Sequence, residues 1–291
     1  LTSIEIPDSV TSIGDYAFSV ASALTSIEIP DSVTSIGEYA FSSSGLTSII
    51  IPKGVESIEK ATFYQAISLT EITFADNSLL NSIGSNAFYN TSALTEIDIP
   101  EGVTSIGSYA FKKALALTSI IIPEGVTSIG AGAFDTCTEL SSVTFETGSQ
   151  LTSIGEYVFY NNTALTSIDI PDSVTSIEKE AFYGASTLTS IIIPASVESI
   201  GYQAFFRASA LTSIDIPASV ESIGDQAFKN ATGLISVTFA ENSKLTSIGY
   251  RAFRDARSLT SITLPASLTS VNVDTFTNTH NLASIFVDEA N

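Results

Sequence analysis

Methionine is absent from this 291-residue chain, and cysteine and histidine occur once each, as Cys137 and His280. A single cysteine excludes an intrachain disulfide and leaves the redox compartment unread. One histidine leaves no Ser-His-Asp constellation and no Cys/His zinc cluster to assemble. His280 lies in a polar stretch and reads as a solvated loop residue. No phosphate loop, dinucleotide fingerprint or calcium loop is present, so neither an enzyme nor a cofactor is expected. Basic residues are scarce: 11 Lys and Arg stand against 31 Asp and Glu, a net charge of −20. A phosphate backbone wants a basic face, so nucleic acid is not an expected partner. An anionic lipid surface is disfavoured for the same reason. No apolar run approaches the ~20 residues that cross a bilayer, so this segment is not expected to insert directly. No signal-peptide pattern is present either. The chain opens at Leu1, on a repeat boundary. It is therefore expected to be a mature or trimmed piece of something longer, and the missing leader does not argue for the cytoplasm.

What the chain has in abundance is repetition. Aligned on its first apolar position, a unit begins at Leu1, Leu24, Leu46, Leu69, Leu94, Leu117, Leu140, Leu165, Leu188, Leu211, Leu234 and Leu259, and a partial one at Leu282. The spacing is 23 residues, with one of 22 and three of 25. The unit reads L-T-S-I-x-I-P-x-S-V-T-S-I-G-x-x-A-F, followed by about five small or polar residues. Self-similarity at this period is the signature of a solenoid, in which each coil buries its apolar faces only against its neighbours. The expectation is one solenoid domain over residues 1–291, of twelve coils. At ~4.8 Å per coil it would be roughly 55–60 Å long.

Each position has an expected role. The pair Ile4 and Ile6 alternates with Glu5, which is strand period with isoleucine inward. All nine prolines, Pro7 to Pro265, follow this strand and stop it, because they cannot donate to a ladder. The second half, Val-Thr-Ser-Ile-Gly, reads as a second short strand on the opposite wall. Its glycine suggests a turn with unusual backbone angles, but Glu59, Glu178 and Asn272 replace it, so positive φ cannot be obligatory there. One phenylalanine per coil, Phe18 to Phe276, predicts a buried column. The segment around it is too short for a stable helix, so a turn or a single helical turn is expected there. The three 25-residue units begin at Leu69, Leu140 and Leu234. Each lacks the proline and carries Phe74, Phe145 or Phe239 in place of the second isoleucine. A longer or bulged turn is expected in each. Residues 46–116 and 117–187 match as 71-residue blocks, which reads as duplication of a three-coil cassette.

This pattern resembles the BspA-type (Treponema-type) leucine-rich repeat, whose units carry L-x-x-I-x-I-P…I-G-x-x-A-F. The resemblance covers the whole chain. It implies a right-handed leucine-rich-repeat solenoid, with short parallel strands on two walls and turns or single helical turns between them. It also implies a secreted or cell-surface location and a role in adhesion to host matrix or cell-surface proteins. The closing stretch, Ile285 to Asn291, looks like the start of that family's irregular repeats. The family's frequent cysteine after the phenylalanine is matched only by Cys137, which reads as a small buried side chain.

In leucine-rich repeats the first strand lines the concave face, the usual binding wall. Its outward position carries Ile50, Ile121 and Ile192 every third coil, beside Asp98, Asp169 and Asp215, with Glu96 next to them. These seven residues are the candidate binding face for a protein ligand. Six of the eleven basic residues lie between Arg207 and Arg257, a charge asymmetry that would favour head-to-tail association. Together with the absence of polar capping segments, it supports an alternative: a structural protein that self-associates end to end into filaments. A serine in each of the twelve second strands, Ser12 to Ser270, forms a hydroxyl ladder that would suit a lattice binder or a soluble facing. Asn90, Asn161 and Asn230 begin glycosylation sequons, which matter only in a secreted eukaryotic protein.

Overall fold

A computed structural model describes residues 2–288, so Glu289 to Asn291 of the closing stretch lie outside the described residues. The chain divides into two compact units, Leu1–Gln150 and Leu151–Asn291. Each is a parallel β-solenoid, and no helix occurs among the described residues. Every strand pairing is parallel and joins equivalent residues of successive coils, as in Ser3↔Ser26 in the first unit and Ser176↔Ser199 in the second.

The first strands show why the Ile-x-Ile pattern folds as it does. In Ser119–Ile122, Ile120 and Ile122 are buried and Ile121 is exposed. The second strands are only two residues long, a serine followed by an inward isoleucine as in Ser82–Ile83, except the last, Ser270–Val271, where both residues are exposed. Strands this short are weak alone, and the hydroxyl residues beside them extend the ladder. Thr127 Oγ1 donates to the Thr104 carbonyl at 3.3 Å and Thr175 Oγ1 to that of Thr152 at 3.2 Å. The serine two residues after proline does the same more tightly. Ser32 donates to the Val10 carbonyl at 2.7 Å, and Ser196 to that of Val174 at 2.6 Å. These threonine and proline-linked serine hydroxyls are consumed in fastening coil to coil.

The segment from the glycine to the next leucine is a turn in every coil, with no helical turn. Its backbone alternates between right- and left-handed conformations. Two positions per coil have positive φ, the residue two before Phe and the residue two after it. Glycine fills only two of these places, Gly132 and Gly184; the others include Tyr16, Val20, Tyr109 and Arg207. The alternation points every second N–H at the next coil. Tyr16, Phe18 and Val20 donate to the carbonyls of Glu38, Ala40 and Ser42 at 2.7–2.9 Å. A helical turn would satisfy these groups within its own coil; the turn satisfies them between coils and adds a third hydrogen-bonded wall.

A left-handed non-glycine residue costs roughly 1–2 kcal/mol, and for β-branched Val20 (φ 59°, 71% exposed) burial returns little. Val20→Gly should therefore raise stability by about 0.5–1 kcal/mol once glycine's extra unfolded-state entropy is subtracted. Urea denaturation checks this. A loss of stability would mean that the backbone does not hold Val20 in this conformation.

Beneath the turns runs the phenylalanine column. In the first unit Phe18, Phe41, Phe63, Phe88, Phe111 and Phe134 stack at 5.1–5.5 Å with interplanar angles of 2–8°. In the second unit the run from Phe159 to Phe276 stacks at 5.1–5.7 Å. Cys137 is buried beside the column, its thiol donating to the Phe111 carbonyl at 3.1 Å. Burial pushes that thiol well above its ordinary pKa, which makes it a packing residue.

The Ile-Gly glycines need no left-handed backbone, in line with Glu59, Glu178 and Asn272 standing in their place. None of them is among the positive-φ positions. Close approach is the constraint. A Cβ on Gly84 would meet Lys60 N at 2.7 Å and Glu59 C at 2.8 Å, both backbone of the preceding coil. The 25-residue units behave as expected, each with a longer turn after the phenylalanine that includes a left-handed residue, Asn77, Gly148 or Asn242. That turn also interrupts the first wall. Among the described residues Glu71–Phe74 and Ser236–Phe239 pair only with the coil before them.

Candidate functional site

All seven candidate residues of the first-strand row are exposed. In the first unit, Ile50 lies in Ser48–Ile51, 63% exposed, and pairs with Thr73. It lines an open groove of about 420 Å³ with Ser26, Glu28 and Glu71. Ile121 lies in Ser119–Ile122, 52% exposed, and pairs with Thr144. Asp98 lines a second groove, of about 530 Å³, opened beside the first long turn and shared with Asp76, Asn77 and Glu101. Glu96 is exposed two residues earlier on the same segment.

In the second unit, Asp169 and Ile192 form a parallel bridge, so these two are brought side by side. Ile192 is 72% exposed. Asp215 is occupied by its neighbour, since Thr238 Oγ1 donates to its carboxylate across the register pair. Ile50 and Ile121 stand three coils apart and do not form one patch. The alternation of strand residues therefore makes a row of separate apolar points set among hydroxyls and carboxylates.

The sequon asparagines Asn90, Asn161 and Asn230 are half-buried at left-handed turn positions, with φ of 57°, 54° and 61°. Their N–H groups donate to the next coil, to the carbonyls of Lys112, Tyr183 and Arg254. His280 is exposed in a turn, as expected. Among the described residues no group of three or more His, Cys, Asp or Glu could hold a metal ion, and no helix is long and apolar enough to cross a membrane.

The turn wall carries a concentration of chemistry that sequence reasoning passed over. All ten tyrosines fall between the glycine position and the next leucine of their coils. They meet one another and the cations across coils. Tyr16 stacks on Tyr39 at 4.9 Å and Tyr64 on Tyr89 at 4.8 Å. Lys112 sits 4.9 Å from the Tyr109 ring centre and bridges to Asp135 at 2.7 Å. Burial pulls its ammonium down, and the Asp135 hydrogen bond and charge more than offset this, so its pKa ends raised. The signal was present in the sequence, because tyrosine never occurs elsewhere in the unit.

Coils of about 23 residues with paired parallel strands define a leucine-rich-repeat protein. The chain belongs to the family of the BspA type leucine rich repeat region, whose model matches residues 1–115, 104–234 and 203–291. It is similar to a leucine-rich repeat protein from Bacteroides ovatus, at 30% identity over 97% of this chain and 77% of that one, with a TM-score of 0.74. It is also similar to a leucine rich cell surface protein from Faecalibacterium prausnitzii, at 29% identity over 100% of this chain and 88% of that one, with a TM-score of 0.56. The pneumococcal vaccine antigen PcpA shares the fold, at 23% identity over 99% of this chain and 74% of that one, with a TM-score of 0.60. No curated protein matches the chain.

Proposed function

We propose that this chain is a non-catalytic module, secreted or displayed at the cell surface, that binds a host matrix or cell-surface protein through the outward row of its first strands. The observation that carries the reading is the exposure of Ile50, Ile121 and Ile192, each more than half open to solvent in a row otherwise held by Thr, Asp and Glu as far as Thr263, with exposed Phe286 after it. Burying an isoleucine against a partner gains roughly 1.5–3 kcal/mol, while the interspersed carboxylates give the contact its charge pattern. Location outside the cell is supported by the similar F. prausnitzii cell surface protein.

The test is a binding screen against purified matrix proteins and whole host cells. It compares the wild type with an Ile50→Ser, Ile121→Ser, Ile192→Ser variant and with Asp98→Asn, Asp169→Asn. The isoleucine variant should lose roughly tenfold or more in affinity with unchanged melting behaviour. Unchanged binding in both variants would place the binding wall elsewhere. Light scattering across a concentration series separates the alternative: end-to-end fibres would replace adhesion with self-assembly as the function.

A further inference from the structure

The turn wall of the second unit holds a site of different character from the first-strand row. In successive coils the residue after the column phenylalanine is Tyr160, Tyr183, Phe206, Lys229 and Arg254. The three aromatic rings stack face to face at 4.6 and 4.7 Å. The stack ends against two cations, with Lys229 Nζ and the Arg207 guanidinium each 5.4 Å from the Phe206 ring centre. From Tyr183 to Phe206 the ring faces are thus taken up by one another and by these cations.

The ion pairs of this region are unequal. Arg251 pairs with Asp274 at 3.3 Å, and Arg254 and Arg257 share Asp255 at 3.3 and 3.4 Å. Among the described residues Arg207 and Lys229 have no carboxylate within ion-pair distance. Lys229 reaches only an amide, donating to Gln226 Oε1 at 3.0 Å, and Gln203 donates to the same oxygen at 3.1 Å. Burial lowers the pKa of Lys229, and Arg254, Arg251 and Arg207 lower it further against the opposing charge of Asp255. A chain of net charge −20 therefore holds an uncompensated positive spot.

We propose that this ridge binds a sulfated polysaccharide, with Arg207 and Lys229 gripping sulfates and the neighbouring Gln203, Gln226 and Tyr183 hydrogen-bonding the sugar rings. The alternatives fit less well. Nonspecific single-stranded nucleic acid binds by stacking bases on aromatic faces, and those faces are occupied. An extended acidic peptide returns a side chain to one face only every ~6.6 Å, whereas Arg207 and Lys229 converge on a single ring, each 5.4 Å from the Phe206 centre. Sulfates on neighbouring sugar rings supply the denser row of charge, and guanidinium forks bind such oxyanions bidentately. The remaining acidity of the chain acts weakly at this spot, because physiological salt screens charges beyond ~8 Å.

Surface plasmon resonance of the full chain on immobilised heparin oligosaccharide tests this. Desulfated heparin, polyglutamate and a thymidine oligonucleotide serve as competitors. The wild type should bind, lose affinity with added salt, and be displaced by free heparin only. Arg207→Ser with Lys229→Gln should weaken binding roughly tenfold or more. Arg207→Lys with Lys229→Arg should retain most of it. Lys53→Gln with Lys244→Gln, which removes two cations away from the turn wall, should leave it unchanged. The proposal is overturned if the wild type fails to bind at physiological salt or if the control pair loses as much as the ridge pair. Stronger competition by polyglutamate or the oligonucleotide would overturn it as well, since each would identify a different partner.

Discussion

Phe111→Ala should lower the unfolding free energy by about 3–5 kcal/mol, the usual cost of removing a fully buried aromatic side chain. Phe111 has no solvent exposure and lies in the middle of a stack, with Phe88 at 5.1 Å on one side and Phe134 at 5.3 Å on the other. The cavity would open between two coils whose backbones are fixed by the N–H bonds of Tyr109, Phe111 and Lys113 to the next coil, so collapse would be incomplete. In a solenoid stability is a sum of coil and interface terms, and one alanine weakens two interfaces at once. Phe111→Leu should cost distinctly less, because most of the volume is kept. Guanidinium denaturation followed by circular dichroism checks both. A loss below ~1 kcal/mol for the alanine variant would mean that the column is decoration on a fold held by its strands.

Gly224→Ala is expected to cost about 1–3 kcal/mol, the range for forcing an extra carbon into a close-packed place. The added Cβ would lie 2.6–2.8 Å from Gly201 C, Tyr202 N and Gly201 O, all backbone. Backbone cannot rotate away as a side chain does, so the coils must separate locally. The chain itself shows the direction of the effect. The N–H of Gly84, Gly201 and Gly224 reaches the isoleucine carbonyl of the preceding coil at 2.7–2.8 Å, and that of Asn272 only at 3.2 Å. Glu178, at 2.9 Å, stands at the same distance as Gly37, so a side chain is accommodated at this place in one coil. Thermal melting of Gly224→Ala beside Glu178→Gly measures this. Equal melting temperatures for Gly224→Ala and the wild type would remove close approach as the reason for glycine here.

Much of the coil was legible because its signals are local. The Ile-x-Ile alternation marked the inward and outward faces correctly from Ile4 to Ile262, and Pro52, Pro123, Pro217 and Pro265 marked where a first strand stops. The phenylalanine column followed from one large apolar residue per period. The long turns at Asn77, Gly148 and Asn242 followed from two extra residues and a missing proline. The candidate row of Ile50, Asp98, Ile121 and Ile192 was legible as exposure alone. That Asp169 meets Ile192 while Thr238 occupies Asp215 was not legible, since it depends on which neighbouring coils remain in register.

By itself the sequence determined the period, the inward set of every coil and the repeat family, because a coil of this length can bury its isoleucines and phenylalanines only by stacking on copies of itself. Only the tertiary structure decided how the turn wall is built. Gly, Asn or Asp fill only some of its left-handed positions and ordinary residues such as Tyr109 and Arg207 fill the others, so composition marks them only in part. They are held there by hydrogen bonds to the next coil, which exist only after stacking. The same stacking gathers tyrosines and cations more than twenty positions apart into one ridge. It leaves Arg207 and Lys229 without a counter-charge, a property of coil register and not of any one repeat.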